Sequence, residues 1–226
     1  MKVIKDIRVY RSQIENIDGN PMPNSFGNKM LNIILHRIAM KLRENEFTMG
    51  DFDHLYINLT TYEVESRIAL SKRKIDRYHP WYRYYDVKID QNLFDALETS
   101  QCIHLVTEFT EQVLQKCFGT PIFSNELIHL CVYEAVTQGE NMLMKFKEKR
   151  STKNRAVIFL RYLDNGRFYP LLRVWDSDNN LILEKDLPES DELYAYGEIQ
   201  LSTKKITIKP RKNYFAKNQE PISFIL

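Results

Sequence analysis

The texture of the hydrophobic pattern changes at about Asn154, and that change limits the fold of this chain more than any other feature. Upstream, long stretches with apolar residues three and four apart are interleaved with alternating ones; downstream only short alternating stretches remain. Helices repeat about every 3.6 residues and strands about every 2, so the chain reads as an α/β half followed by an antiparallel β half.

In the first half, Lys2 to Tyr10 reads as a strand, with Val3, Ile7 and Val9 among charged neighbours. Turn residues follow over Asp18-Gly19-Asn20-Pro21-Met22-Pro23-Asn24, and Ser25 is placed to cap a helix that runs to about Glu44. Its apolar positions Met30, Leu31, Ile33, Ile34, Leu35, Ile38 and Leu42 spread beyond one stripe. That predicts a helix buried on at least two sides, lying across a sheet. Asp51 to Tyr62 alternates again, with Phe52, His54, Tyr56, Asn58 and Thr60 on one face and Leu55, Ile57 and Leu59 on the other. Strand, crossover helix and strand make a parallel unit. Tyr84 to Asp90 adds a strand. A helical pair comes next, the first helix on Cys102, Val106, Phe109, Val113 and Cys117 and closed by Gly119-Thr120-Pro121. The second repeats at Ile128, Val132, Ala135, Met142 and Phe146 and ends in Lys145, Lys147, Lys149 and Arg150, a basic end suited to the helix dipole.

In the second half, Arg155 to Leu163, Tyr169 to Asp176 and Asn180 to Leu187 read as strands joined by turns at Asp164-Asn165-Gly166 and Asp176-Ser177-Asp178-Asn179. Gly197 to Ser202 and Lys205 to Lys209 form a further hairpin, and Ile222 to Leu226 adds an edge strand. No Pro- or Ser-rich linker marks Ser151. The expectation is one α+β domain over 1–226, or two closely packed lobes, 1–150 mixed α/β and 151–226 antiparallel β.

Composition narrows the chemistry. Seven glycines in 226 residues fall well below the usual share, about 7%, and no glycine-based phosphate motif is present. No apolar run reaches the roughly 18 residues of a membrane span, and Met1 to Ser12 mixes charge with apolar residues, so a cytoplasmic chain away from membranes is expected. Three widely spaced cysteines do not make a disulfide framework. Cys102-x-His104, Cys117 and His129-x-Cys131 suggest a metal, but residues two apart on a helix point about 200° away from each other. No metal and no cofactor are expected. G-x-S-x-G and H-E-x-x-H are absent as well.

Two constellations remain. Asp86-Val87-Lys88 puts a carboxylate and an ammonium on one strand face, the pair a metal-dependent nuclease uses, with Asp53, Glu63 or Glu65 as a second carboxylate. The same spacing is common on solvated strands. Denser is the stretch from Arg67 to Tyr85, where Arg67, Lys72, Arg73, Lys74, Arg77 and Arg83 interleave with Tyr78, His79, Trp81, Tyr82, Tyr84 and Tyr85 against the single acid Asp76. Such a set can pack a core, anchor a protein partner or stack on unpaired bases. Arg77, Tyr78, Trp81, Tyr82, Arg83 and Tyr84 are the candidate partner-binding residues, with Trp81 and Tyr82 expected to outweigh any single charge.

The formal charge of +2 also conceals opposed patches. Glu184, Asp186, Glu189, Asp191, Glu192 and Glu198 are relieved only by Lys185, whereas Lys204, Lys205, Lys209, Arg211, Lys212 and Lys217 have no acid among them. An acidic patch of that kind can meet a basic protein partner with steered association.

The strand and apolar helix of Lys2 to Glu44, the Asp53-His54-Leu55-Tyr56-Ile57-Asn58-Leu59-Thr60 strand and the Trp81-Tyr82-Arg83-Tyr84-Tyr85-Asp86 run together resemble the immunity proteins of bacterial polymorphic-toxin systems. That resemblance implies a protein that binds and blocks one cognate toxin and catalyses nothing. The alternative is a nucleic-acid binder using the basic aromatic stretch, or a nuclease built on Asp53, Asp86 and Lys88.

Overall fold

The computed structural model describes residues 1–15, 17–18 and 27–226. The chain is α+β and forms two compact units, Met1–Gly139 and Glu140–Leu226. Among the described residues, no helix is long and apolar enough to cross a membrane.

In the first unit, strands β1 (Asp6–Arg11), β2 (His54–Thr60), β3 (Ile68–Leu70) and β4 (Tyr82–Lys88) form one sheet in the order β1-β2-β4-β3. β1, β2 and β4 are parallel, and β3 closes the edge antiparallel to β4. Helix α1 (Lys29–Glu44) is the crossover between β1 and β2, as the alternating and helical periods predict. Asn28 caps it, its side chain accepting from the Leu31 amide at 3.2 Å. Ser25 and the Gly19 to Asn24 part of the expected loop lie outside the described residues. Arg43 ties the end of α1 to the start of the sheet by donating to the carbonyls of Ile4 (3.1 Å) and Lys5 (2.6 Å).

Two-sided burial of α1 is observed: it packs on β1 and on helix α4 (Asn125–Thr137). Helices α2 (Gln91–Ala96) and α3 (Cys102–Phe118) precede α4. The sheet buries Leu55, Ile57, Leu59 and Val87 completely. Tyr85, on that same face, meets Phe118 of α3 edge-on at 5.4 Å between centroids.

One expected element needs correction. The second helix of the pair stops at Thr137, and the residues read as its basic end form strand β5 (Met144–Arg150). Gly139, at φ +53°, takes the left-handed conformation that closes a helix. The four-residue spacing of Met142 and Phe146 was therefore fortuitous, and alternation governs 144–150. The basic side chains are not partners of a helix dipole. The boundary between units consequently falls after Gly139, upstream of Ser151, because β5 pairs with the strand that follows it.

The second unit is antiparallel throughout. β5, β6 (Asn154–Tyr162), β7 (Phe168–Asp176) and β8 (Leu181–Asp186) follow one another as a four-stranded meander. β9 (Ile199–Leu201), β10 (Lys205–Ile208) and β11 (Ile222–Ile225) form a second sheet ordered β11-β10-β9. The turns foreseen from composition are present. Gly166 sits at φ +88°, and the Asp176 carboxylate accepts from the amides of Asp178 and Asn180, each at 2.9 Å. Ala156, Ile158, Leu172 and Val174 of the meander share one core with Ile199, Ile206 and Ile208 of the second sheet. Tyr196 is buried in that core, and its hydroxyl donates to the Pro188 carbonyl at 2.8 Å.

Candidate functional site

Strand alternation sorts the aromatic residues of the first unit. Parallel register places His54 beside Tyr82, Tyr56 beside Tyr84 and Asn58 beside Asp86, with Arg8 beside Tyr56 on β1. These side chains share the sheet face opposite Leu55, Ile57 and Val87. The rings touch in series. Tyr56 lies 5.8 Å from Tyr10, 4.8 Å from Tyr82 and 5.1 Å from Tyr84, centroid to centroid. Tyr82 also meets His54 at 4.8 Å and stacks on His79 at 4.8 Å with an interplanar angle of 4°. Two arginines cap this ladder, Arg8 at 5.6 Å from the Tyr56 ring and Arg73 at 4.3 Å from the Tyr84 ring. Burial pushes the Tyr10, Tyr56 and Tyr84 phenols up from their ordinary values, so these three stay neutral at physiological pH.

The candidate partner-binding residues consequently separate into groups. Tyr82 and Tyr84 are half-buried members of the ladder, and Trp81 packs edge-on to Tyr82 at 6.1 Å. Arg83 points to the other face. Its guanidinium donates to the carbonyls of Pro80 (2.6 Å) and Tyr82 (2.9 Å) and covers the Phe52 ring at 5.4 Å. Arg77 and Tyr78 project into solvent, hydrogen-bonded to each other and stacked at 4.6 Å. Asp76 shapes this bend, accepting from the amides of Tyr78 (2.8 Å) and His79 (3.2 Å).

The sequence reading missed the apolar part of this surface. Leu70 and Ile75 are each 58% exposed and Tyr78 is 68% exposed. Lys72, Lys74 and Arg77 lie exposed between them. Ile14 and Ile17 are exposed on the neighbouring loop, which the Lys74 amide holds through the Ile17 carbonyl at 3.1 Å. The available signal was Ile75, an isolated aliphatic residue in a basic run, where no helical or strand period assigns it to a core.

The proposed nuclease set does not converge. Asp86 is only 6% exposed and accepts from the Asn58 side chain at 3.0 Å, and Asn58 also donates to the Tyr62 hydroxyl at 3.0 Å. Lys88 is on the same face as Asp86, as alternation requires, but its ammonium is paired with Glu63. Asp53 precedes Asn58 by five residues along β2, about 16 Å at the rise of a strand. Among the described residues, no three His, Cys, Asp or Glu side chains are grouped to hold a metal ion. Cys102 and Cys131 are buried, and burial pushes the Cys131 thiol up to about 11. His129 Nδ1 instead lies 2.8 Å from Glu111 Oε1, joining α4 to α3.

Asp53 itself has a structural part. Its carboxylate is 2.7 Å from Lys5 Nζ and 2.6 Å from His54 Nδ1. Burial acts to raise its pKa, but the hydrogen bonds and charges of Lys5 and His54 outweigh burial and hold it below the usual aspartate value. A carboxyl depressed in the folded state contributes stability above its unfolded pKa of about 3.9 and loses it as pH falls through the folded value. Urea unfolding of Asp53→Asn should show a shallower loss of stability below about pH 4 than the parent chain. Identical pH profiles would refute this contribution.

No family model matches the chain, and neither a curated protein nor a solved structure does.

Proposed function

We propose that the chain is a non-catalytic protein-binding module that acts in the cytoplasm as an immunity protein does, by covering and blocking a cognate toxin. The carrying observation is the segment from Leu70 to Tyr78, in which exposed Leu70, Ile75 and Tyr78 are interspersed with exposed Lys72, Lys74 and Arg77. Exposed aromatic and aliphatic side chains are the anchors that dominate affinity at a protein interface. The cations among them favour a partner whose facing surface is acidic. Arg73 over Tyr84 and His79 on Tyr82 tie this segment to the aromatic ladder, which limits the backbone freedom left to lose on binding. The nuclease alternative has less support, since Asp86 and Lys88 are each engaged by a neighbouring side chain.

The test pairs the chain with the product of any adjacent gene that encodes a secreted toxin. Co-expression should relieve toxicity. Ile75→Ala with Tyr78→Ala should weaken the complex by about 2 kcal/mol or more, roughly 30-fold. The same variant should change folding stability by only about 0.5 kcal/mol, because both side chains face solvent. Tyr82 is a poorer probe, since His54, Tyr56 and His79 all pack on it. In a second assay, the chain is incubated with labelled RNA and DNA in magnesium or manganese. Cleavage abolished by Asp86→Ala would overturn the proposal, as would a partner affinity unchanged by the double variant.

A further inference from the structure

The second unit contains a cleft of about 710 Å³ beside the middle of β5, lined by Phe146 and Lys147 of that strand, Glu198 before β9, and Lys209, Arg211 and Lys212 after β10. We propose that it binds a phosphomonoester with a small organic body, the chemistry of a mononucleotide or a sugar phosphate. This proposal is independent of the toxin-blocking surface, which lies in the first unit.

Charge carries the argument. Elsewhere in this unit arginines are paired: Arg155 with Glu148 (3.1 Å), Arg167 with Asp191 (2.9 Å), Arg173 with Glu184 (2.6 Å), and Arg161 with Asp186. Arg211 alone among the arginines of this unit departs from that pattern among the described residues. Lys147, Lys209, Arg211 and Lys212 make no ion pair with any described residue, although Glu198 lines the same cleft. Lys147 donates only to the Gly197 carbonyl, and its ammonium is half-buried. Lys147 Nζ and the Arg211 guanidinium both approach the Phe146 ring, at 5.5 and 5.9 Å from its centroid. Burial and the proximity of Arg211 push the Lys147 pKa down. Two cations held over one ring, one of them partly desolvated, form a site that an anion would relieve.

The excess of cations over the single carboxylate selects a dianion over a monoanion. A phosphomonoester carries about −1.5 to −2 at pH 7. Arg211 offers the planar fork that matches phosphate oxygens, and Lys147 a point charge beside it. The volume falls within the roughly 300–1,000 Å³ of small-molecule sites. Pro210 and Pro221 give the wall an apolar surface for the body of the ligand, and Glu198 can accept from a hydroxyl or amino group on it. No glycine-rich loop cradles the phosphate, so recognition rests on side-chain charge and should weaken as salt rises.

Calorimetric titration of the full chain with AMP, inorganic phosphate and adenosine tests the proposal. AMP should bind with a Kd below about 1 mM, at least about tenfold more tightly than inorganic phosphate. Adenosine should give no saturable heat, and AMP affinity should fall when salt is raised. Arg211→Gln should weaken AMP by at least about tenfold. If that variant loses its native circular dichroism, the double variant Lys209→Gln, Lys212→Gln takes its place and should weaken AMP similarly. No saturable AMP binding, AMP no tighter than phosphate, adenosine equal to AMP, or an affinity unchanged in the folded variants would each overturn the proposal.

Discussion

Tyr56→Ala is expected to lower the stability of the first unit by about 3–5 kcal/mol, the range for removing a large buried ring. Tyr56 is only 2% exposed although it lies on the sheet face that carries the polar and charged residues. It is the centre of the ladder, touching Tyr10, Tyr82 and Tyr84 in turn, with Arg8 over its ring. Truncation leaves a cavity between β1 and β4 that the strand backbones cannot close, because Leu55 and Ile57 fix β2 in the core on the other side. At about 2–4 °C per kcal/mol for a unit of this size, Tm should fall by roughly 6–20 °C. Tyr56→Phe keeps the ring and its contacts and should lose much less, at most about 1 kcal/mol. Urea denaturation of the three chains checks both values. An Ala variant as stable as the Phe variant would show that the ladder is not a packed structure. The contrast with Tyr78 has a functional consequence: partner binding lost in Tyr56→Ala reports the fold, whereas binding lost in Tyr78→Ala reports a contact.

That division explains what the sequence made legible. Alternation assigned the side chains of 54–60 and 84–90 to faces, so the inward Leu55, Ile57, Leu59 and Val87 could be read directly, whereas Phe52, expected beside His54, instead packs on Phe118 at 5.8 Å, because it lies before the strand begins. It could not reveal that the opposite face is also largely closed. That closure comes from register between β1, β2 and β4, which stacks tyrosines far apart in sequence, and from Arg73 folding over Tyr84. The stretch from Arg67 to Tyr85 thus holds both inward and exposed aromatic residues, which residue type alone does not separate. Tyr82 and Tyr84 look equivalent to Tyr78 in sequence, but strand pairing draws the first two inward, while the Asp76-capped bend turns the third outward. Arg83 is lost to the surface by the same alternation that keeps its neighbours on it. The short β3 and α2 were not read, since three or six residues hold too little of either period to be recognised. At 144–150 both periods fit the residues, and Gly139 decided between them.

Glycine scarcity makes the remaining glycines informative, and Gly197→Ala is the second large effect expected. A methyl group there would lie 2.4 Å from the Pro210 oxygen, 2.6 Å from the Pro210 carbonyl carbon and 2.8 Å from the Arg211 nitrogen. All three are backbone atoms, so no rotamer change can relieve the contact. The two segments are also locked together, the Gly197 amide donating to the Lys209 carbonyl at 2.7 Å and the Lys209 amide to the Glu198 carbonyl at 2.8 Å. Accommodation therefore has to stretch or break these bonds. The expected loss is about 1–3 kcal/mol from overpacking, and more for Gly197→Val. At an unconstrained position the sign reverses, because alanine restricts the unfolded chain and gains about 0.4–1 kcal/mol. Gly27 supplies that control: a methyl group there would meet no atom of a described residue within 4 Å, and its φ is not left-handed. Opposite signs for Gly197→Ala and Gly27→Ala in urea unfolding would establish that close backbone approach, not chain entropy, requires glycine at 197. Because Gly197, Pro210 and Arg211 all line the phosphate cleft, the same displacement should move the Arg211 guanidinium away from Lys147. AMP affinity should then fall together with stability in Gly197→Ala, and stay unchanged in Gly27→Ala.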